Sequence, residues 1–366
     1  MARKIKVLVV EDSAATRDFL VHLLKRDPEL EVIGTAKDGE VALEFLRENK
    51  PDVITMDIHM PKMDGFETTR KIMETQPVPV VIVTGTTDPK EVATLFHAMD
   101  AGALAVLPIP AGFGHPEHEV TSRELIQTLK SMSEVKVVRR WARGRISKIA
   151  LPTPPEETKR KTASEVRVIA IGASTGGPPV LQTILSSLPA SFPVPILVVQ
   201  HIATGFMTGF VEWLASSCRI RIQIASQHQA LCPGTVYLAP DDFQMTVSSN
   251  GLIILRDDPP ENGLRPAVSC LFRSVAEVFG KSAVGILLTG MGRDGAAELK
   301  RIKDAGGITI AQSRETCVIN GMPGTAVNLD AATYTLSPEQ IAAVLTDIAK
   351  NHECAGFERT HRNSHR

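Results

Sequence analysis

Val53-Ile-Thr-Met56-Asp57 is a short β-forming run that stops on an acid, and Ile58-His-Met-Pro-Lys-Met-Asp64-Gly65 follows it. The same unit recurs on both sides. Upstream lie the apolar run Ile5 to Val10, a helical stretch Ala14 to Lys25, the run Glu31 to Thr35 and a helical stretch Glu40 to Glu48. Downstream come a helical stretch Phe66 to Glu74, Val80 to Val83, Lys90 to Ala101, Leu104 to Leu107 and a last helical stretch Ser122 to Met132. Five strands interleaved with five helices predict a doubly wound parallel sheet, because parallel neighbours need a crossover between them. This α/β domain spans residues 1–133.

The alternation breaks over 134–165. Val138-Arg-Arg-Trp-Ala-Arg-Gly-Arg is basic, and Leu151-Pro-Thr-Pro-Pro-Glu-Glu-Thr-Lys-Arg-Lys holds neither helix nor strand, so the stretch reads as a solvated linker. A second α/β pattern fills 166–350, with apolar runs at Val166 to Ile171, Pro195 to Val199, Ile220 to Ala225, Ala283 to Leu288 and Ile308 to Ala311. Helical stretches fall at Val180 to Ser187, Phe206 to Ser217, Val268 to Phe279, Ala296 to Ala305 and Glu339 to Ala349. The last opens on the capping box Ser337-Pro-Glu-Gln. Thr235 to Leu238, Gln244 to Val247 and Leu252 to Leu255 are parted by turn residues, among them Asn250-Gly251, and predict an antiparallel hairpin excursion. The polar tail 351–366 is expected to be disordered, and its His352, Cys354, His361 and His365 are not read as a metal site.

The chain has 366 residues, 43% hydrophobic and 22% charged, which fits two or three globular domains at roughly 150 residues each. With 40 basic against 41 acidic residues there is no overall field to recruit nucleic acid or an anionic membrane. No signal peptide is visible, and the apolar runs fall short of the roughly 18 residues that span a bilayer, so a cytoplasmic location with no membrane insertion is expected. The five cysteines lack metal-site spacing and read as incidental thiols.

Chemistry is expected at the strand ends. Glu11 and Asp12 follow the first strand and Asp57 the third, and the carboxyl ends of neighbouring parallel strands line one crevice. Three carboxylates there call for a cation, and oxygen-only ligation suits Mg²⁺, with one carboxylate as nucleophile towards phosphate. Thr84 would add a hydroxyl to the same rim. These residues, with Met56-Asp-Ile-His-Met-Pro-Lys-Met-Asp-Gly, resemble the receiver domain of bacterial response regulators over about residues 4–133. The resemblance implies Asp57 as phosphoacceptor, Glu11, Asp12 and Asp57 as Mg²⁺ ligands, Thr84 as switch residue and a histidine kinase as phosphodonor. One departure stands out: Ile109 occupies the position of the family's Lys after the fifth strand, and Val106 that of its usual aromatic residue.

In the second domain, Ile169-Ala-Ile-Gly-Ala-Ser174-Thr-Gly-Gly-Pro-Pro follows a strand and opens a helix. Gly172-Ala-Ser174-Thr-Gly176 fits the GxSxG turn that exposes a nucleophilic serine, although its glycine density also suits a nucleotide cradle. The spacing misses GxGxxG, and Gln200-His201 stands where a dinucleotide fold places an acid. His201 can take the serine proton, and Asp294, in Leu288-Thr-Gly-Met-Gly-Arg-Asp-Gly, can orient the imidazole, while the glycines around Met291 leave amides for an oxyanion.

Gly172-Ala-Ser-Thr-Gly-Gly-Pro, Gln200-His201, Thr289-Gly-Met-Gly-Arg-Asp-Gly and Gly321-Met-Pro resemble the chemotaxis protein-glutamate methylesterases, the CheB family, over about residues 166–350. The resemblance implies Ser174 as nucleophile, His201 as base and Asp294 as its acid, with Thr175 and Met291 at the active-site rim and no cofactor for the ester chemistry. It further implies methyl-accepting chemotaxis receptors as substrates, with glutamate γ-methyl esters hydrolysed and glutamines deamidated. In a segment that usually reads RPSVDxLF, Ala267 replaces Ser and Ser269 replaces Asp; neither position is counted in the triad. The competing reading is a non-catalytic receptor-binding adaptor carrying a receiver for docking.

Overall fold

The computed structural model describes residues 3–86, 88–135, 137 and 166–363. The chain divides into two compact units, 1–147 and 148–366. Nearly all of the expected linker lies outside the described residues.

In the N-terminal unit the elements run β1 (Ile5–Val10), α1 (Ala14–Lys25), β2 (Leu30–Ala36), α2 (Gly39–Glu48), β3 (Val53–Met56), α3 (Gly65–Thr75), β4 (Val80–Thr84), α4 (Pro89–Ala101), β5 (Ala105–Pro108) and α5 (His118–Ser133). The sheet has the order β2-β1-β3-β4-β5 and is parallel throughout. Helices on both faces explain why the central strands are buried all along their length: β3 and β4 have no exposed position. Each fully buried Val, Leu or Ile there contributes about 1.5–3 kcal/mol.

Three helices start on the side-chain caps their sequences offer. Ser13, Asp38 and Asp64 accept the N–H of Thr16, Val41 and Glu67 respectively, satisfying donors that a helix cannot pair internally. The loop between β3 and α3 returns so tightly that a Cβ on Gly65 would sit 2.2 Å from the Asp57 carbonyl oxygen. Glycine at that position therefore lets α3 begin against the end of β3.

The C-terminal unit continues with β6 (Val168–Ala173), α6 (Gly177–Ser186), β7 (Ile196–Gln200), α7 (Met207–Ser217), β8 (Arg221–Ile224), β9 (Thr235–Leu238), β10 (Gln244–Val247) and β11 (Ile253–Arg256). Then come α8 (Val268–Phe279), β12 (Ala283–Leu287), α9 (Ala296–Asp304), β13 (Ile308–Gln312), α10 (Met322–Asn328), β14 (Tyr334–Leu336) and α11 (Pro338–Asn363). Seven parallel strands form a sheet in the order β14-β13-β12-β6-β7-β9-β8. Its core side packs α8 and α9 on the central strands, with Leu271, Phe272, Val275 and Leu299 all fully buried.

Two expectations need correcting. Thr235–Leu238 is not part of the antiparallel excursion: it lies between β7 and β8, parallel to both, and only β10 and β11 pair antiparallel. A four-residue apolar run has no directional signal, so its neighbours in sequence misled the reading. Residues 351–363, expected to be disordered, continue helix α11. No proline interrupts this stretch, and propagating an existing helix costs far less than nucleating one.

Candidate functional site

Ser174 follows β6, and its place is fixed from both sides of the sheet. Its amide donates to the Thr289 carbonyl beyond β12 at 3.0 Å, and its own carbonyl accepts the Gly177 amide at 2.8 Å as α6 begins. Gly176, at φ +78°, makes the turn between them, in a region that favours glycine. His201 follows the neighbouring strand β7, and its amide donates to the Ala173 carbonyl at 2.9 Å. The Gln200 side chain ties the two together: its Nε2 donates to the carbonyl oxygens of Ser174 (2.9 Å) and His201 (2.7 Å).

The turn after β12 closes on the same point. A Cβ on Gly290 would lie 2.6 Å from the Ser174 Cβ, so the close approach requires glycine. Asp294 comes from this turn and meets His201, with Nε2 3.0 Å from Oδ2. A ring nitrogen facing a carboxylate donates, which leaves Nδ1 as the basic nitrogen. The other contacts of Asp294 come from the start of α8: the amides of Val268 (2.6 Å) and Ser269 (3.1 Å) and the Ser269 hydroxyl (2.5 Å). Helix N-terminal amides have no partner within the helix and favour an anion. Burial opposes charge on Asp294, but the His201 contact, the Ser269 hydroxyl and the Val268 amide outweigh it and hold the carboxyl below its ordinary range.

Ser174, His201 and Asp294 are thus brought to one end of three adjacent strands, β12, β6 and β7. Ser174 is 9% exposed and Met291, in the Asp294 turn, 43% exposed; Thr175 is half-buried beside the serine. Sequence reasoning missed two contributors. Gln200 was read only as the absence of an acid, and Ser269, set outside the triad, in fact touches Asp294. The only available signal for the latter was its departure from the pattern RPSVDxLF.

In the N-terminal unit, Glu11, Asp12 and Asp57 converge at the ends of β1 and β3, each offering an oxygen within 4.8 Å of the others. Glu11 and Asp57 are buried and Asp12 is exposed. Burial first, then the Asp57 charge, pushes Glu11 up to about 7, against the Ser13 amide that donates to it. Burial likewise raises Asp57, although the amides of Ile58 and His59 bond to its charged form. Such a set of hard oxygen donors, short of positive charge, fits Mg²⁺.

Thr84 ends β4, fully buried, and its hydroxyl accepts the Thr86 amide at 3.3 Å. Ile109 donates its amide to the Thr84 carbonyl at 2.8 Å, and its side chain reaches the space over Gly85, 3.3 Å from where a Cβ would stand. An aliphatic side chain therefore lies beside the residue that follows Thr84. Val106, in β5, is buried.

Of the described cysteines, Cys218, Cys232, Cys270 and Cys317 are all free. No helix among the described residues is long and apolar enough to cross a membrane. The side chains of the tail histidines and of Cys354 lie outside the described residues.

A receiver-like sheet with an acid cluster, followed by a parallel α/β unit with a serine, a histidine and an aspartate at adjoining strand ends, defines a response-regulated hydrolase. Residues 7–113 match the response regulator receiver domain and residues 169–345 the CheB methylesterase family. The chain is 57% identical to a protein-glutamate methylesterase/protein-glutamine glutaminase of Nitrosospira multiformis over 94% of this chain and 97% of that protein. It is 54% identical to a protein of the same name, number 4, from Geobacter metallireducens, over 94% and 99% of the two chains. The crystal structure of the Thermotoga maritima CheB methylesterase catalytic domain covers 49% of this chain and 97% of its own, at 36% identity and TM-score 0.48. The chain belongs to the CheB family of receiver-linked methylesterases.

Proposed function

We propose that the C-terminal unit hydrolyses glutamate γ-methyl esters, and deamidates glutamines, on the cytoplasmic helices of chemotaxis receptors. Ser174, His201 and Asp294 carry the chemistry, and phosphorylation of Asp57 by a histidine kinase regulates it in the cytoplasm. The observation behind the chemistry is the 3.0 Å His201–Asp294 bond, formed on the strand next to Ser174.

The Ser174 hydroxyl attacks the ester carbonyl as His201 Nδ1 takes its proton. Asp294 holds the resulting imidazolium, and the amides at Thr175 and Met291 flank the oxyanion. The C–O bond then breaks, and His201 returns the proton to the departing methoxide, releasing methanol. Water, deprotonated by the same imidazole, cleaves the acyl-serine to leave glutamate. A glutamine follows the same course with ammonia as leaving group.

At the N-terminal unit, Glu11, Asp12 and Asp57 would hold Mg²⁺, which supplies charge neutralisation for phosphoryl oxygens. Asp57 offers the nucleophilic oxygen, and the amides of Ile58 and His59 orient its carboxylate. The boundaries 1–133, 134–165 and 166–350 divide the regulatory, connecting and catalytic parts. Mixing the protein with methylated receptor and measuring methanol tests the reading, and it also separates the enzyme from a non-catalytic adaptor. Methanol release that disappears in Ser174→Ala is the expected result; none from the natural protein would overturn it.

A further inference from the structure

The Ser269 hydroxyl stands between two carboxylates. It is 2.5 Å from Asp294 Oδ1 and 2.8 Å from Glu298 Oε2, and it accepts the Gly295 amide at 3.0 Å. A serine hydroxyl carries one hydrogen. That hydrogen cannot be donated to both acids at once, and the shorter contact, in the range of a charge-assisted bond, gives it to Asp294.

Glu298 is held where it can contest the hydrogen. Its other oxygen lies 3.7 Å from Arg273, which also pairs with Glu261, and Glu261 in turn accepts the Cys270 thiol. The groups facing Ser269 are therefore Asp294 from the β12 turn with His201 behind it, Arg273 and Cys270 from α8 itself, Glu298 from α9, and Glu261 from the preceding loop. Ser269 is 4% exposed, so water does not supply a substitute donor freely.

We infer that Ser269 is a positioning residue for the Asp294–His201 pair, and that Glu298 tunes it by competing for its one hydrogen. The inference rests on the reading of Ser174, His201 and Asp294 as a triad. With the hydrogen on Asp294, the carboxylate is fixed through Oδ1 while Oδ2 serves His201, and its charge is partly spent on the hydroxyl. Without it, Asp294 loses an anchor, and its full charge faces the imidazolium that forms during turnover. Removing the negative Glu298 acts the other way, since it takes away the competitor for the hydrogen that Asp294 holds and withdraws a like charge.

The test is the pH dependence of methanol release from methylated receptor by the full chain. Ser269→Ala should raise the midpoint of the acidic limb by about 0.5 unit and lower kcat about tenfold, with KM little changed. Glu298→Gln should lower that midpoint by a similar amount. Opposite shifts are the signature, because loss of packing alone has no reason to move the two variants in different directions. Profiles that coincide with the natural one, or that shift the same way, would overturn the inference. Should Ser269→Ala not fold, the half-buried Glu298→Gln decides alone, a lowered midpoint supporting the inference and any other outcome rejecting it. Ser174→Ala run in parallel separates the levels: near-normal turnover there removes the triad itself, whereas a severely impaired Ser174→Ala beside an unmoved Glu298→Gln removes only the role of Ser269.

Discussion

The two units place carboxylates at the same spot, the carboxyl edge of a parallel sheet, and give them opposite electrostatics. Asp294 is buried yet held below its ordinary range, because two amides, a hydroxyl and His201 surround it. Glu11 and Asp57 are raised, Glu11 to about 7, by burial first and then by neighbouring carboxylates, Asp57 and Asp12 for Glu11 and Asp12 for Asp57. The first site is complete within the chain. The second is short of positive charge, which a divalent cation would supply from outside. Burial alone does not distinguish a finished site from an unfinished one; the partners folded around each acid do.

The contrast breaks most sharply at Ser174. Ser174→Ala should lower methanol release by about a thousandfold or more, and His201→Ala should be about as severe, since members of a triad act as a unit. Near-normal turnover in either would mean that the finished site is not the catalytic one. In the receiver, Asp57→Asn should abolish labelling by a small phosphodonor. Chelating divalent cations should do the same while leaving the ester hydrolysis of a 164–350 fragment intact; equal sensitivity of both activities would erase the distinction between the sites.

A smaller effect is expected at Ile109. With no lysine there, the phosphoryl group lacks a charge-assisted contact of about 1.5–3 kcal/mol, and a ligand shifts an equilibrium only by its differential affinity. Phosphorylation should therefore stimulate turnover several-fold more in Ile109→Lys than in the natural chain. Equal ratios would show that another group carries the switch.

The smallest effect sharpens the comparison through stability. Glu11 has a folded-state value above its unfolded one, so the folded receiver binds the extra proton between roughly pH 4.5 and 7. Its stability should fall as pH rises through that window in the absence of divalent cations, by at most about 3 kcal/mol. Thermal melts of Glu11→Gln should show a flatter profile; identical pH dependence would remove Glu11 as the cause.

Much of this contrast was legible in the chain. Acids directly after strand-forming runs marked the receiver cluster, and a serine, a histidine and an aspartate after three such runs marked the other, because a parallel sheet gathers strand ends whatever their distance in sequence. What was hidden depended on direction and rotation. Thr235–Leu238 pairs parallel although its neighbours in sequence form a hairpin, and Tyr334–Leu336 is too short and too exposed to read as a strand. Ser269 and Gln200 act through a hydroxyl and an amide whose aim is set by helix and strand placement, and no spacing in the sequence encodes that aim. The electrostatic sign at each acid was likewise invisible, since it follows from donors that fold in from other segments.

Gln200 has a consequence for anyone who would rebuild this enzyme. One nitrogen sets the gap between the backbone of the nucleophile and the backbone of the base, like a gauge block between two jaws. A redesign can widen the mouth of the cleft or alter its rim without touching that gauge. Sliding β6 against β7, or exchanging the amide for a carboxylate that would confront two carbonyl oxygens, sets the jaws wrongly even when every reacting atom is retained.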